Sequence, residues 1–256
     1  MQPQTVGYDL ITRINAFHAR THRHVDTSTL SVDAREWREM RRMADALFKA
    51  SAAEAWEIVG MLEAIRGDRE AMEHAFHASV ALGATGSNKL NLMVNRLNLG
   101  MFSMAQKVYA DIRIQDAVSI PQFVHDGVKT GAVHSVLTSI EEARKMGIEW
   151  EGRDDLEEMM RQAAEILGEA GVDDEYIGKR LDIAGDVLLK HRVMPYIVPS
   201  VLNMPGEFVG VTYRLPVATD ASEAFEMNME LAQAELDAGL AEGMPFEVVF
   251  EAAGEE

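Results

Sequence analysis

Four asparagines, Asn88, Asn91, Asn95 and Asn98, are spaced three, four and three residues apart in the stretch Ser87–Gly100. At about 100° per residue they fall within roughly a quarter-turn of one another on a helix, one above the next. Leu90, Met93, Val94, Leu97 and Met101 form a separate apolar stripe, so this helix has a core face with a ladder of neutral amides beside it. Asparagine is a mediocre helix former because its side chain competes for backbone hydrogen bonds, and four on one face need a reason. An amide donates and accepts at once. A row of them can pair with the N–H and C=O groups of an extended peptide without reading its sequence. Lys89 and Arg96 stand near enough in sequence to add a carboxylate contact. The competing reading is that the amides bond to adjacent helices or to water.

The other candidate chemistries are thinner. His18 and His22 lie four apart, a spacing that can hold Zn²⁺, but no third ligand is evident and no Glu sits beside them as in the metalloprotease helix motif. An exposed, partly basic helix end is the expected environment. Gly83-Ala-Thr-Gly86-Ser-Asn-Lys89 lacks the Gly-Lys-Ser/Thr ending of a phosphate loop and follows no strand, so it reads as a turn. His74 and His77, near Glu70 and Glu73, are read as ordinary helical polar residues, and His125-Asp126 with His134 as a weak acid–base or metal candidate. Glu157 and Glu158 are adjacent, hence about 100° apart on a helix, and do not converge by that fact. The chain has no Cys, which removes disulfides, thiolate metal sites and cysteine nucleophiles together. A non-catalytic protein without metal or cofactor is expected, and a His-dependent metal hydrolase is the least favoured reading.

The totals narrow the class further. The chain has 256 residues, 47% hydrophobic, enough for a substantial core in one large or two smaller domains. No run of 18 apolar residues spans a membrane, and the N-terminus lacks a basic segment followed by an apolar one, so a cytoplasmic protein is expected. A net charge of −18 argues against direct nucleic-acid binding, which needs clustered Lys and Arg. The charge is uneven. Residues 1–50 hold eight Lys/Arg against six Asp/Glu, whereas from Val193 onward Arg214 is the only basic residue against twelve acids. That asymmetry predicts contact between the chain ends, or separate surfaces for separate partners.

Helical periodicity dominates up to His191. Residues 8–22 read as a first helix. Asp33, with Glu36 three residues on, reads as a capping box opening a second, whose Arg35, Arg38, Arg41 and Arg42 form a basic stripe expected to pair with Glu36, Glu39 and Asp45. From Ala52 the helices come in pairs. Gly67, Gly100 and Gly131 mark turns 33 and 31 residues apart, and nine residues after each comes a large apolar side chain: Phe76, Tyr109 and Ile140. Residues 153–169 and 173–191 form a further pair, with acids at both N-termini, where the helix dipole favours them.

These paired segments resemble tetratricopeptide repeats over about residues 52–147. Trp56 and Gly60 match the aromatic and small positions of a first helix, and Gly67-Asp68 with Phe76 the turn and second helix. Gly100, Phe102, Ala105 and Tyr109 match best, and Gly131, Val136, Ile140 and Ala143 match weakly. Met72 and Ser79 stand where a small Ala is usual, and the closing Pro is missing. The resemblance implies an α-solenoid of helical hairpins with an inner face where asparagines of first helices meet peptides.

After His191, Pro195, Pro199 and Pro205 exclude a long helix. Tyr196–Leu202 reads as extended, Phe208–Val217 as an alternating strand, Asp220 with Glu223 as a capping box, and Pro245–Glu251 as a last strand. In the intervening helix Phe225, Met229, Ala232, Leu236 and Leu240 are expected inward, with Glu226, Glu230, Glu235 and Asp237 outward. Strand, helix, strand implies a right-handed crossover with parallel strands. So small a sheet must pack on the solenoid, pair with another copy, or accept a partner's strand.

The expected architecture is mainly α: an N-terminal helical region (1–51), a tetratricopeptide-like solenoid (52–192) and a C-terminal α+β module containing a β-α-β unit (193–256). The expected activity is reception of a protein or peptide partner by Asn88, Lys89, Asn91, Asn95 and Asn98. The rival reading is an acidic inhibitor of the phage anti-defence or anti-CRISPR type. It would occupy the basic surface of a nucleic-acid-binding complex through acids such as Glu226 and Glu230.

Overall fold

The computed structural model describes residues 3–84, 86–114, 119–204, 208–240 and 243–253. The chain runs through α1 (Pro3–Arg20), α2 (Val32–Leu47), α3 (Ala52–Arg66), α4 (Arg69–Ala81), α5 (Gly86–Asn98), α6 (Phe102–Asp111), α7 (Ile120–Thr130), α8 (Val133–Lys145), α9 (Arg153–Glu169) and α10 (Asp174–Lys190). It then forms β1 (Val198–Met204), β2 (Phe208–Val217), α11 (Ala221–Asp237) and β3 (Phe246–Ala252). It is mainly helical, with a small C-terminal α+β module. None of the described helices is long and apolar enough to cross a membrane.

α3/α4, α5/α6 and α7/α8 are helical hairpins whose turns place Gly67, Gly100 and Gly131 in the left-handed region, at φ 84°, 66° and 81°. The first helices pack in sequence, α3 on α5 and α5 on α7. Small residues let the aromatics in. A Cβ on Gly60 would lie 2.6 Å from the Phe76 ring, and one on Gly127 would lie 2.4 Å from the Tyr109 ring. Phe76 thus packs inside its own hairpin, whereas Tyr109 reaches into the next one, stacks on Phe123 at 4.4 Å and donates to Ser139 Oγ.

α10 crosses the turn ends of these hairpins. α6 and α8 begin at Met101 and Ala132, which provide no side-chain cap. α10 provides them instead. Asp182 accepts from the Ser103 N–H at 3.0 Å and from its hydroxyl, and Asp174 accepts from the N–H groups of His134 and Ser135 at 2.9 and 3.0 Å. Asp186 pairs with Arg69 at the start of α4. One helix therefore satisfies orphan donors, and places negative charge, at the N-termini of others.

The sheet order is β1-β2-β3, with β1 antiparallel and β3 parallel to β2, which is the pairing that a β-α-β connection through α11 requires. Val211, Tyr213, Leu215 and Val217 are buried, together with Phe246 and Phe250. They join the apolar cores of α5–α11, and the Tyr213 hydroxyl donates to Val128 O of α7 at 2.8 Å. The module is thereby part of the helical body. The chain ends also meet. Arg23 pairs with Glu223 at 2.8 Å, the His24 N–H donates to Arg192 O, and the Met194 N–H to His22 O.

Three local expectations are corrected. The second helix starts from Ser31, whose hydroxyl accepts from Ala34 N; Glu36 instead serves Arg13 and Arg20 of α1. Within the arginine stripe only Arg41 pairs inside its helix, with Asp45; Arg38 donates to the carbonyls of Thr27 and Thr29. The third correction is the rotation of α11. Ala224, Met227 and Leu231 are buried, and Phe225, Met229 and Leu236 face solvent. Asn228 sets this rotation: its amide accepts from Phe250 N and donates to Phe250 O, and Glu235 on the same face clamps Arg180.

Candidate partner-binding cleft

α5 delivers the asparagine ladder to two environments. Asn88 is buried and donates to Ser79 Oγ at 3.0 Å, so it joins α5 to α4 and offers nothing outward. Lys89 is exposed, away from the ladder's cleft. Arg96 does take a carboxylate, but an internal one: it forks onto Glu73 of α4. Asn91, Asn95 and Asn98 line a cavity of about 330 Å³ between α1, α3, α5 and α7. Ile14, Met61, Ile65 and Val94 supply its apolar walls, and Gln122, Asp126 and Lys129 its far side. A second arm of about 200 Å³ continues from Asn98 and Lys129 to the segment Met194–Ile197.

The polar groups here are only partly used. Asn91 donates to Glu57 Oε1 and Asn95 to Asn91 O, and neither side-chain amide oxygen is engaged among the described residues. The Asn98 side chain makes no hydrogen bond among the described residues. Asp126, itself buried, receives Gln122 Nε2 and Lys129 Nζ, both on Oδ1. His18 lines both arms, and its buried Nε2 has no partner. Burial, reinforced by His22, holds the His18 imidazole below its ordinary pKa and hence neutral at neutral pH. The cleft therefore offers acceptors and donors over an apolar floor, at the small end of the roughly 300–1,000 Å³ typical of ligand sites. That suits a short segment or a single side chain. α1 lies against α3, so the inner face is not an open groove along its length.

The expected exposure holds for Ala19 and Arg20 at the end of α1, whereas the segment that follows is docked. His22 Nδ1 meets the Tyr196 hydroxyl at 3.1 Å, and His24 is buried against Gly67. Burial pushes the His24 imidazole down to about 4. This value lies below the ordinary one near 6.5, so the unfolded chain takes up the proton first as pH falls. The stability it confers is complete above about pH 6.5 and drains between 6.5 and 4. Between about pH 7 and pH 5 the loss is about 2 kcal/mol. Urea denaturation of wild type and His24→Asn at both pH values checks this, since carboxylate effects are common to both proteins and the variant should show the shallower decline.

His74, His125 and His134, also singled out by the sequence, do not assemble a site. His134 sits against Val172 O at 3.3 Å, His74 packs edge-on to Trp56, and His125 is exposed. Among the described residues no three His, Asp or Glu side chains are placed to share a metal ion. Two larger hollows are known by their walls: one of 870 Å³ beside Arg35, Trp37 and Arg42, and one of 610 Å³ between α6 and α8. Both are broad surface depressions. On α11, Glu226 is exposed and Glu230 pairs with Lys190 at 2.9 Å, which holds its carboxyl below the ordinary range. No family model, curated protein or solved structure gives a significant match to the chain.

Proposed function

We propose that the chain is a non-catalytic, tetratricopeptide-like interaction protein that receives a peptide or partner segment in the cleft between α1, α5 and α7. The supporting observation is the convergence of Asn95, Asn98 and the unpartnered His18 ring nitrogen over apolar walls. A buried polar atom with no partner is destabilising by itself and is satisfied when a ligand supplies the missing group. Amides beside it suit a peptide unit, which presents one donor and one acceptor. The Lys129–Asp126 pair at the junction of the two arms adds charge of both signs for an end group or a polar side chain.

The test begins with affinity capture from the native host and mass spectrometry to identify the partner, followed by calorimetric titration. Asn95→Ala plus Asn98→Ala removes two neutral hydrogen-bonding groups and is expected to weaken binding about 10- to 30-fold with the fold intact by circular dichroism. Unchanged affinity in that folded variant would end the reading. Titration at two salt concentrations adds a second criterion, because amide-mediated binding changes little with salt whereas charge-driven capture falls steeply.

A further inference from the structure

α11 carries two apolar stripes, one residue out of step. The inward one, Ala224, Met227 and Leu231, meets α10 and β3. The outward one comprises Phe225, Met229, Ala232 and Leu236 at spacings of four, three and four. Phe225 is 65% exposed, Met229 57% and Leu236 62%. Single exposed apolar side chains need no explanation, but a line of them along about 17 Å of helix is the pattern of a helix seam. Acids flank it. Glu226 and Asp237 are exposed beside the line, Glu230 is partly exposed and paired with Lys190 of α10, and residues 193–256 contain one basic residue, Arg214, on the sheet.

We propose that this face docks a basic amphipathic helix of a partner protein, with its apolar side laid along Phe225, Met229 and Leu236 and its Lys or Arg side chains reaching Glu226 and Asp237. The charge selects this occupant. Two α11 faces brought together would set acid against acid in a chain of net charge −18, which disfavours a second copy. An anionic membrane surface is repelled for the same reason. A cationic helix gains on both counts, and a Phe/Met seam is adaptable enough to accept one without a preformed groove. The surface shares no residue with the α1–α5–α7 cleft, so it stands or falls separately from the function proposed there.

The full-length chain is titrated calorimetrically with a synthetic 18-residue helix carrying Leu on one face and Lys at its flanks. A scrambled peptide of the same composition and a version with Glu in place of Lys serve as controls. The amphipathic Lys peptide is expected to bind at least about tenfold more tightly than either control. Phe225→Ser with Leu236→Ser should weaken it about tenfold or more, as loss of seam anchors does. Glu226→Lys with Asp237→Lys should weaken it similarly and improve binding of the Glu peptide. All four positions are exposed, so the variants should keep the wild-type melting profile. Three results would overturn the proposal: equal binding of the scrambled peptide, full retention of binding by the Ser variant, or sedimentation showing a dimer that the Ser variant dissolves.

Discussion

Replacing Gly185 with Ala is expected to destabilise the protein by about 3 kcal/mol, a fall of about 6–12 °C in Tm for a chain of this size. At this point α10 passes backbone to backbone over the α5–α6 turn. A Cβ on Gly185 would sit 1.8 Å from Gly100 O, and one on Gly100 would sit 2.4 Å from Gly185 Cα. No side chain can swing aside, because both partners are main chain. α10 would have to lift, and it is tied on either side by Asp182 at the start of α6 and by Asp186 on Arg69. Lifting it loosens the caps that α6 and α8 lack from their own sequence. The intrinsic helix gain of Ala over Gly, about 1 kcal/mol, offsets only part of this. Gly168 in α9 is the internal control: a Cβ there meets nothing within 4 Å, so Gly168→Ala should stabilise by about 0.5–1 kcal/mol. Guanidinium denaturation of both variants separates the effects. If Gly185→Ala behaves like Gly168→Ala, α10 does not cross the turn at this distance.

The second large effect is expected at Glu73→Ala. Arg96 donates through Nε and Nη2 to the two Glu73 oxygens at 2.6 and 2.8 Å, and through Nη1 to Met104 O at 3.0 Å. One guanidinium thus joins α5 to α4 and α6, and its side chain is only 9% exposed. Removing the carboxylate leaves a buried charge unpaired, which costs roughly 3 kcal/mol, the low end of the range because Glu73 still touches water. Adding Arg96→Met should recover most of that loss, since a buried ion pair replaced by apolar groups of similar size is often neutral. A double-mutant cycle by urea denaturation measures the coupling. A single-variant cost under about 1 kcal/mol would mean that the pair behaves as a surface bridge and that α4, α5 and α6 are held by apolar packing alone.

Both predictions concern contacts with no local signature, and the same division runs through the molecule. Periodicity located the helices of the three hairpins, because a buried helix face repeats every three to four residues whatever it packs on. Glycines at 67, 100 and 131 marked the turns, because each requires a left-handed backbone there. Alternation in residues 208–217 marked β2, and its parallel partner followed from the intervening helix. The same periodicity failed on α11. Two stripes of equal quality lie one residue apart, and Phe225, Met229 and Leu236 outscore Ala224, Met227 and Leu231 in bulk. What decided the rotation was Asn228 bonding the Phe250 backbone, a contact across 22 residues. The ladder divided in a similar way. Its spacing was legible, but the burial of Asn88 on Ser79 and the freedom of Asn98 depend on which neighbours α4 and α1 present.

By itself the sequence determined the helical class, the hairpin turns, the acidic C-terminal module and the row of amides, because each is written in local spacing and composition. Tertiary structure alone decided that α10 caps α6 and α8, that α1 closes over the inner face beside Asn98, and that α11 turns its bulkier stripe to solvent. The physical reason is common to all three. Hydrogen-bond donors and apolar faces declare a need in the sequence, but the group that meets the need can come from anywhere in the chain.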